Sequence, residues 1–357
     1  MTTSGATFSP GSENPFLSSH DVLARGGELG PAEIAAVVAA LTDPAGADTD
    51  KAAFLRAFRA RGETPGEIAA LADAFLALAV DPEIDLARLP GPALDVCGTG
   101  GDRLHLFNVS TTACFVLAAG GAVVIKHGNR ALTSRSGGSD VLAALGVAVD
   151  PTPAELRRHL ETTGLGFLFA PRYHPAFMAG REVRRLLAAE GKSTVFNVLG
   201  PLLNPARPMY QLLGVFEPAL TEKLAGVLCR LGRRRAWAVH GAGGMDELST
   251  LGPTQVGRCE DGAVTAGTVT PEEAGLPRAE NLDALRGGTP EDNAKTLTGI
   301  LRGEINGPPL DLVLLNAAAG FVVAGLSADL GAGVERARET IASGRARRVL
   351  ERMQGTD

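Results

Sequence analysis

Apolar residues recur at every third or fourth position in the N-terminal part of the chain, which is the spacing of amphipathic helices. Gly30-Pro31 and Thr64-Pro65 precede two of these stretches, and proline is favoured in the first turn of a helix. The pattern predicts three helices, in the runs IAAVVAAL (34–41), AAFLRAF (52–58) and EIAALADAFLALA (67–79). A Pro/Gly-rich stretch at 89–92 then ends the helical part.

From residue 93 onward, short apolar runs alternate with stretches of helical spacing. The apolar runs are typical of strands buried on both faces, and they are ALDVCG (93–98), AVVIKHG (122–128), GFLFAP (166–171), YQLLGVF (210–216) and RAWAVHG (235–241). Helical spacing is found between them at 108–121, 139–146 and 218–232. This βαβα alternation predicts an α/β fold with a mostly parallel central sheet and helices on both faces.

Three further stretches have a local pattern of their own. Residues 174–191 form a polar-faced helical stretch that we expect to pack back against the N-terminal helices. Residues 256–269 are typical of a hairpin in which Asp261-Gly262 supplies the tight turn. Thr289 followed by Pro290 predicts a capped helix start.

The composition is that of a globular protein with a large core. The chain has 357 residues, more than one core usually organises, so we expect two subdomains. Its net charge of -6 offers no basic excess for binding nucleic acid. No apolar run reaches the length of a membrane span, and the first basic residue is Arg25, so we expect neither a membrane helix nor a secretion signal.

The cysteines and the N-terminus complete this outline. Cys97, Cys114, Cys229 and Cys259 are widely separated and form no CxxC pair, which argues against a zinc site or a disulfide framework and favours a cytoplasmic location. Residues 1–15 are rich in Ser, Thr, Gly and Pro, and we expect a disordered tail there.

The first predicted strand runs into a glycine-rich loop, Gly98-Thr99-Gly100-Gly101-Asp102. Glycines allow the backbone to approach an anion, and successive N–H groups can hold phosphate. A simple tight turn between strand and helix is the alternative. The dinucleotide pattern GxGxxG fails at Arg103, and no GK[ST] follows, so phosphate or pyrophosphate without a nucleotide base is the better hypothesis.

Two polar segments follow. Asn108-Val109-Ser110-Thr111-Thr112 opens a predicted helix, where its hydroxyls can contact phosphate or Asn108 can serve only as a helix cap. Lys126-His127-Gly128-Asn129-Arg130 follows a buried strand, with Ser134 shortly after. Ligands of open α/β sheets bind outside the carboxyl ends of the strands, so we expect this loop to face a substrate.

Asp246 and Glu247 follow the last parallel strand and a Gly-rich turn. Mg²⁺ is commonly held by one or two carboxylates together with substrate phosphates, so the pair is a candidate magnesium site. The alternative is a solvated helix start, which adjacent acidic residues also favour.

Together these segments resemble the anthranilate phosphoribosyltransferase family. The matching stretches, in family order, are DVCGTGGD (95–102), FNVSTTA (107–113), KHGNRALTSRSGGSDVLAALG (126–146), GFLFAPRYHPAF (166–177), TVFNVLGPLLNPA (194–206), QLLGVF (211–216), HGAGGMDELS (240–249) and LLNAAAG (314–320). The chain departs from the family pattern at Arg103, Leu106 and Gly138, and the stretch 186–194 is longer than in relatives.

The resemblance implies a fold of the nucleoside phosphorylase/phosphoribosyltransferase type. It implies a small all-helical domain formed by 16–90 with about 175–195, and a large α/β domain formed by 91–174 and about 196–357. It also implies a homodimer and magnesium, with two ions, and substrates bound between the domains.

The resemblance assigns site residues by position. Phosphoribosyl pyrophosphate would contact Gly98, Gly100, Gly101, Asp102, Asn108, Ser110, Thr111, Lys126, Asn129 and Ser134. Anthranilate would contact Gly98, His127, Asn129, Tyr173, His174 and Arg184, with Arg185 as the alternative to Arg184. Magnesium would be bound by Ser110, Asp246 and Glu247.

The implied reaction, a step of tryptophan biosynthesis, moves the 5-phosphoribosyl group to the amine of anthranilate and releases pyrophosphate. Lys126 and the loop amides suit stabilisation of the leaving group, and His127 is a candidate general base, although the sequence compels none. A related pyrimidine nucleoside phosphorylase and a non-catalytic relative that binds nucleic acid are the alternatives. The acidic net charge and the retained Asp246-Glu247 argue against the second alternative.

Overall fold

The fold is described from a computed structural model, which covers residues 14–102, 104–130, 136–191 and 193–355. Most of the predicted disordered tail and the candidate phosphate ligand Ser134 lie outside these residues. The prediction of disorder is wrong for its last two residues. Asn14 accepts a hydrogen bond from the Phe16 N–H at 3.0 Å, and Pro15 begins a helix, since asparagine caps well and proline suits the first helical position.

Four helices form the N-terminal part: α1 (Pro15–Ala24), α2 (Pro31–Thr42), α3 (Asp48–Arg61) and α4 (Pro65–Ala77). The three helices predicted from periodicity are α2, α3 and α4. Helix α4 starts at Thr64 because its hydroxyl accepts the Glu67 N–H while the Glu67 carboxylate accepts the Thr64 N–H.

Within the described ranges, seven strands form one sheet: β1 (Ala93–Gly98), β2 (Val123–Gly128), β3 (Leu165–Phe169), β4 (Tyr210–Gly214), β5 (Arg235–Gly241), β6 (Thr254–Glu260) and β7 (Ala263–Val269). Their order is β3-β2-β1-β4-β5-β6-β7, parallel from β3 to β5 and antiparallel from β5 to β7. The prediction of a mostly parallel sheet is confirmed. The hairpin turn uses Asp261 and Gly262 with φ of +44° and +87°, as a primed turn requires.

The described residues form twelve further helices: α5 (Val109–Ala119), α6 (Gly138–Ala144), α7 (Pro153–Thr163), α8 (Ala170–Tyr173), α9 (Pro175–Ala179), α10 (Arg181–Ala189), α11 (Phe196–Leu199), α12 (Leu220–Arg230), α13 (Pro290–Leu301), α14 (Pro308–Val323), α15 (Leu330–Ala342) and α16 (Arg345–Gln354). Thr289 caps α13 as predicted. None of the helices in the described ranges is long and apolar enough to cross a membrane.

The two faces of the sheet are covered by different helices. On one face, Leu94 and Val124 belong to a core that contains α5, α13 and α14. On the other face, Cys97 and Leu213 join the core of the N-terminal helices and α12. Helices α9 and α10 pack against α2 and α3, and the Phe177 ring lies 5.4 Å from that of Phe75 on α4. The segments with candidate chemistry therefore emerge between two helical layers.

Cys229 on α12 and Cys259 on β6 form a disulfide, with their Cα atoms 5.5 Å apart. The expectation that no disulfide forms is wrong for this pair. Helix α12 packs directly on β6, so two cysteines separated by 30 residues in sequence become neighbours in space. Cys97 and Cys114 are buried free thiols.

Candidate active site at the carboxyl ends of the strands

The glycine-rich loop leaves the end of β1 in a conformation that glycine permits. Gly100 and Gly101 have φ of +64° and +91°, the left-handed region that side chains with a Cβ rarely adopt. The Thr99 N–H donates to the Gly214 carbonyl at 2.9 Å, and the Gly100 N–H donates to Asp246 Oδ2 at 2.9 Å. The loop is thus tied both to the neighbouring strand and to the acidic turn.

The acidic turn, Asp246-Glu247, lies directly on the ends of three strands. Each of these strands ends in glycine. A Cβ on Gly98 would lie 2.5 Å from Asp246 Oδ2, one on Gly214 would lie 1.5 Å from the Asp246 carbonyl oxygen, and one on Gly241 would lie 2.4 Å from that of Glu247. Since real Cβ atoms essentially never approach this closely, the turn can occupy this position only above glycines.

Three acidic side chains, those of Asp102, Asp246 and Glu247, lie close together at this turn. Burial, the charge of Asp102 and a hydrogen bond with it raise the pKa of Asp246 above its ordinary value. Burial and the charge of Asp246 raise the pKa of Glu247 to about 8, although the Lys126 ammonium and the Ser110 N–H favour its ionised form. Burial and mutual repulsion destabilise the ionised forms of these carboxylates. A cation bound beside them would stabilise those ionised forms.

The donor set fits magnesium bound together with a phosphate ligand. Among the described residues, no group of three His, Cys, Asp or Glu side chains is arranged to hold a metal by itself. Mg²⁺ usually takes one or two carboxylates and completes its shell with water and substrate phosphate. Asp246 and Glu247 supply such a pair beside a loop whose glycines leave room for phosphate.

Lys126 lies below the loop and carries a buried positive charge. Its Nζ donates to the Val96 carbonyl and to Ser110 Oγ, the second at 3.4 Å. Ser110 and Thr111 lie in the first turn of α5, the end where the helix dipole favours anions. The predicted phosphate residues Lys126 and Ser110 and the predicted metal ligand Glu247 are therefore neighbours in the structure.

Asn108 precedes α5 but does not cap it through its side chain. Its amide donates to the Ser136 carbonyl at 3.2 Å, and its oxygen accepts from Asn293 at 2.9 Å. Asn108 therefore occupies the N-cap position, as the alternative interpretation expects, but its side chain joins three segments instead of capping the helix. Gly138 begins α6 nearby, and a Cβ there would lie 3.1 Å from Thr111 Oγ1.

His127 faces the opposite side of the sheet from Lys126, because successive residues of a strand point to opposite faces. Its ring lies 5.0 Å from that of His174, edge to face. Both rings are buried, and within the described ranges neither Nε2 atom has a hydrogen-bond partner. Burial and the nearby His174 lower the pKa of His127 to about 3, which makes it a neutral ring and a weak base.

The histidine pair is covered by the segment Gly200–Leu203. The backbone of Gly200 contacts His127, and that of Leu203 contacts His174. Buried Nε2 atoms without partners in this part of the chain fit a polar ligand group. Tyr173 lies in an apolar cluster with Ile125 and Leu168, and its buried hydroxyl finds no partner in the parts of the chain that are described.

Arg184 and Arg185 on α10 have different surroundings. The Arg184 guanidinium lies 4.3 Å from the centre of the Phe177 ring and 5.4 Å from that of Phe196. Its burial lowers its pKa, and it donates to two backbone carbonyls, both at 3.4 Å. Arg185 is exposed and pairs with Glu182 at 2.6 Å. Arg184 and the two phenylalanines therefore form one half-buried cation–π cluster.

Asn129 is the least constrained of the predicted ligands. It is exposed, and its side-chain oxygen accepts the Arg130 N–H at 2.8 Å. Its roles toward both substrates stay predictions, as does that of Ser134, which lies outside the described residues.

A buried polar layer under the histidines escaped prediction. Asp95 accepts the His127 N–H at 3.4 Å, and Gln211 donates to the Pro201 carbonyl at 2.7 Å. Gln211 also accepts from Arg233 at 3.0 Å, and Asn204 donates to the Ile125 carbonyl at 2.8 Å. The polar residues Asp95, within the apolar run ALDVCG, and Gln211, within YQLLGVF, were the available signs of this layer.

Comparison with known proteins agrees with this arrangement over nearly the whole chain. Residues 90–347 match the glycosyl transferase family, a/b domain, and residues 21–79 match the helical bundle domain of the same family. The anthranilate phosphoribosyltransferase of Anaeromyxobacter dehalogenans (strain 2CP-C) is 47% identical over 93% of this chain and 95% of its own length.

Solved structures agree as well. The anthranilate phosphoribosyltransferase of Thermus thermophilus superposes with a TM-score of 0.86 at 43% identity, over 96% of this chain and 99% of that one. The enzyme of Saccharomyces cerevisiae, solved in complex with PRPP and Mg, gives a TM-score of 0.83 at 28% identity, over 97% of this chain and 98% of that one.

Three lines of evidence lead to the same family. They are the resemblance in the sequence motifs, the seven-stranded sheet with its N-terminal helices, and the two sets of relatives. The prediction made from the motifs is confirmed. This chain belongs to the anthranilate phosphoribosyltransferase family.

Proposed function

We propose that this protein transfers the 5-phosphoribosyl group of phosphoribosyl pyrophosphate to the amine of anthranilate and releases pyrophosphate. The observation that carries the proposal is the contact of the acidic turn with the glycine loop, through Asp246 Oδ2 and the Gly100 N–H. It joins a cation site to a phosphate site at the end of β1. The yeast relative was solved with PRPP and Mg, ligands of the chemistry that such a joined site would bind.

The phosphate side of the site stabilises the leaving group. Gly98, Gly100 and Gly101 let the loop backbone approach the pyrophosphate, and Lys126 contributes a buried positive charge. Bound magnesium, held by Asp246 and Glu247 with Ser110 beside them, would supply further charge stabilisation. The phosphate side of the site is also bordered by Asn108, Asp102, Ser110 and Thr111. Because such polar groups are already held in place, the protein does not have to reorganise as the leaving group develops charge.

The other side of the site receives anthranilate. The neutral rings of His127 and His174 offer nitrogen atoms to a polar group, and Arg184 offers a guanidinium for the carboxylate. The pKa of about 3 makes His127 a weak proton acceptor, so we assign it to orientation of the amine rather than to proton removal. An analogue, 4-fluoroanthranilate, is bound in a structure of the yeast relative.

We also propose a homodimer, two magnesium ions and a cytoplasmic location. Phosphoribosyl pyrophosphate is highly charged and does not cross membranes unaided, which supports a location of the enzyme inside the cell, where this substrate is retained. The Cys229–Cys259 disulfide is an exception to the cysteine pattern of a reducing compartment, where most thiols stay reduced. The place of this reaction is tryptophan biosynthesis.

A fluorescence assay of phosphoribosyl-anthranilate formation, with and without magnesium, tests the proposed function. We expect magnesium-dependent product from both substrates together and none when either is omitted. Release of thymine from thymidine and phosphate, without transfer to anthranilate, would favour the nucleoside phosphorylase alternative. A DNA gel shift that weakens with salt, from an inactive protein, would favour the nucleic-acid-binding alternative.

A further inference from the structure

The long apolar helix α14 carries one amide side chain in its middle. Asn316 on α14 is fully buried, and the other buried residues of that helix are all Leu, Val, Ala, Gly or Phe. A buried carboxamide costs free energy unless its polar atoms are hydrogen-bonded. The apolar packing of α14 alone would be served better by leucine, so the amide has another role.

Asn316 forms three hydrogen bonds, each 2.9 Å long. Its Oδ1 accepts the Leu248 N–H, and its Nδ2 donates to the carbonyls of Leu248 and Leu312. The two bonds to Leu248 cross 68 positions of sequence and satisfy both main-chain groups of one residue. Leu248 is buried and belongs to no helix or strand, so the side chain of Asn316 takes the place of a strand partner.

Leu248 directly follows Asp246 and Glu247. On the sheet side, the acidic turn is fixed by the glycines at the strand ends and by the Gly241 N–H, which donates to the Met245 carbonyl at 2.9 Å. Asn316 holds the residue after the turn from α14. The segment that carries the two carboxylates is therefore fixed before Asp246 by the sheet and after Glu247 by α14. The contact from α14 is made by the side chain of Asn316.

We propose that Asn316 is a positioning residue for the magnesium–pyrophosphate site, acting through Leu248 on the carboxylates of Asp246 and Glu247. The inference rests on the proposed function for the identity of the ligand. Asn316 itself touches neither metal nor substrate. The geometry of a carboxylate pair decides whether it can share a cation with phosphate, because octahedral Mg²⁺ tolerates little displacement of its ligands.

The test is Asn316→Leu, which keeps four heavy atoms branched at Cγ, although with bulkier methyl groups, and removes both bonds to Leu248. We expect binding of Mn²⁺, followed by electron paramagnetic resonance in the presence of pyrophosphate, to weaken about tenfold or more. The Michaelis constant for phosphoribosyl pyrophosphate should rise by a similar factor, while that for anthranilate stays within about twofold.

Val323→Ala is the matched control. Val323 is a fully buried residue of the same helix, about two turns further on, and its truncation lowers stability without removing a contact to Leu248. A purely structural role for Asn316 predicts that both variants melt earlier and both bind Mn²⁺ like wild type. Wild-type Mn²⁺ affinity in folded Asn316→Leu would overturn the proposal.

Should Asn316→Leu fail to fold by circular dichroism, Asn316→Ser gives the same measurement, because serine is too short to reach both groups of Leu248. Binding of Mn²⁺ does not depend on catalysis. An inactive wild type whose Mn²⁺ affinity still falls on substitution of Asn316 would refute the proposed function and leave the role of Asn316 standing.

Discussion

Three carboxylates, Asp102, Asp246 and Glu247, meet at the ends of the parallel strands and repel one another. Their repulsion is a cost to the protein without a cation, and it is relieved when a cation binds. Substitutions in the site should have different effects on activity, according to whether the residue carries charge, orients a substrate ring or only packs.

Replacing Asp246 by Asn together with Glu247 by Gln should nearly abolish transfer and leave the fold intact. The amides keep the size of the carboxylates and remove the charge that attracts Mg²⁺. Steady-state rates at low and high magnesium, with circular dichroism as the control, measure this. Unchanged turnover by the folded double variant at low magnesium would remove both residues from the site.

Stability without metal should depend on pH through Glu247. Its folded-state pKa of about 8 lies above the ordinary value of 4.5, so the folded protein keeps a proton that the unfolded chain has lost. This contribution to stability is complete below 4.5 and is lost as the pH rises through about 8. Melting temperatures with and without magnesium and pyrophosphate should therefore differ more at about pH 8.5 than at about pH 6. A magnesium effect of equal size at both values would contradict the assignment.

Arg184→Ala should raise the Michaelis constant for anthranilate roughly 10- to 100-fold and leave that for phosphoribosyl pyrophosphate nearly unchanged, the loss expected for a charge-assisted pair. Its half-buried guanidinium donates to two backbone carbonyls and lies against aromatic rings, and the Arg181 charge is nearby; within the described ranges no carboxylate pairs with it. Arg185→Ala is the control, because Arg185 already pairs with Glu182 in solvent. The anthranilate defect in Arg185→Ala instead would show that the wrong arginine was chosen.

At the scale of elements, the glycines of the site have two separate roles. Those of the loop provide backbone conformation, whereas those at the strand ends provide space for the acidic turn. A Cβ on Gly100 would meet no atom within 4 Å, but one on Gly214 would overlap the Asp246 carbonyl.

Gly100→Val should therefore keep the fold and lose affinity for pyrophosphate, while Gly214→Ala should displace the turn and destabilise the whole sheet. Calorimetric titration with pyrophosphate and thermal melting separate the two effects. Equal pyrophosphate affinity in Gly100→Val and wild type would contradict the role given to the loop.

Sequence patterns located the parallel strands well because each buried run is apolar, and four of the five strands end in a glycine. They missed α14, since a helix that is apolar all round has no amphipathic period. They also missed α1, where Ser18, Ser19 and His20 interrupt the apolar spacing. Motif resemblance assigned roles to Asp246, Glu247 and Gly98. It assigned none to Gly214 and Gly241 under the turn or to Asn316 above it, because contacts between distant segments leave no local pattern.

At the scale of the whole molecule, the sheet separates two helical layers, and both contribute to the site. Exposed apolar side chains remain on the helices of the N-terminal layer, Leu17 of α1 being 67% exposed. Exposed apolar residues of this kind suit a contact between two copies.

Light scattering should give a mass about twice the 36.7 kDa of one chain. Leu17→Glu should shift this mass toward one chain, because a carboxylate at the contact would lose its water. Val264→Glu is the control, since Val264 is an exposed apolar residue on β7, at the far edge of the sheet. A single-chain mass for the unmodified protein at micromolar concentration would refute the homodimer.

The opposite directions of Lys126 and His127 on one strand have a stereochemical consequence. Under the proposed function, pyrophosphate departs on the face of the sheet where Lys126 lies, and the amine arrives from the face where His127 lies. If the ribose ring lies between these two faces, we expect the entering and leaving groups to occupy opposite sides of the ring, in line through the anomeric carbon. The handedness of that carbon would then reverse in the product.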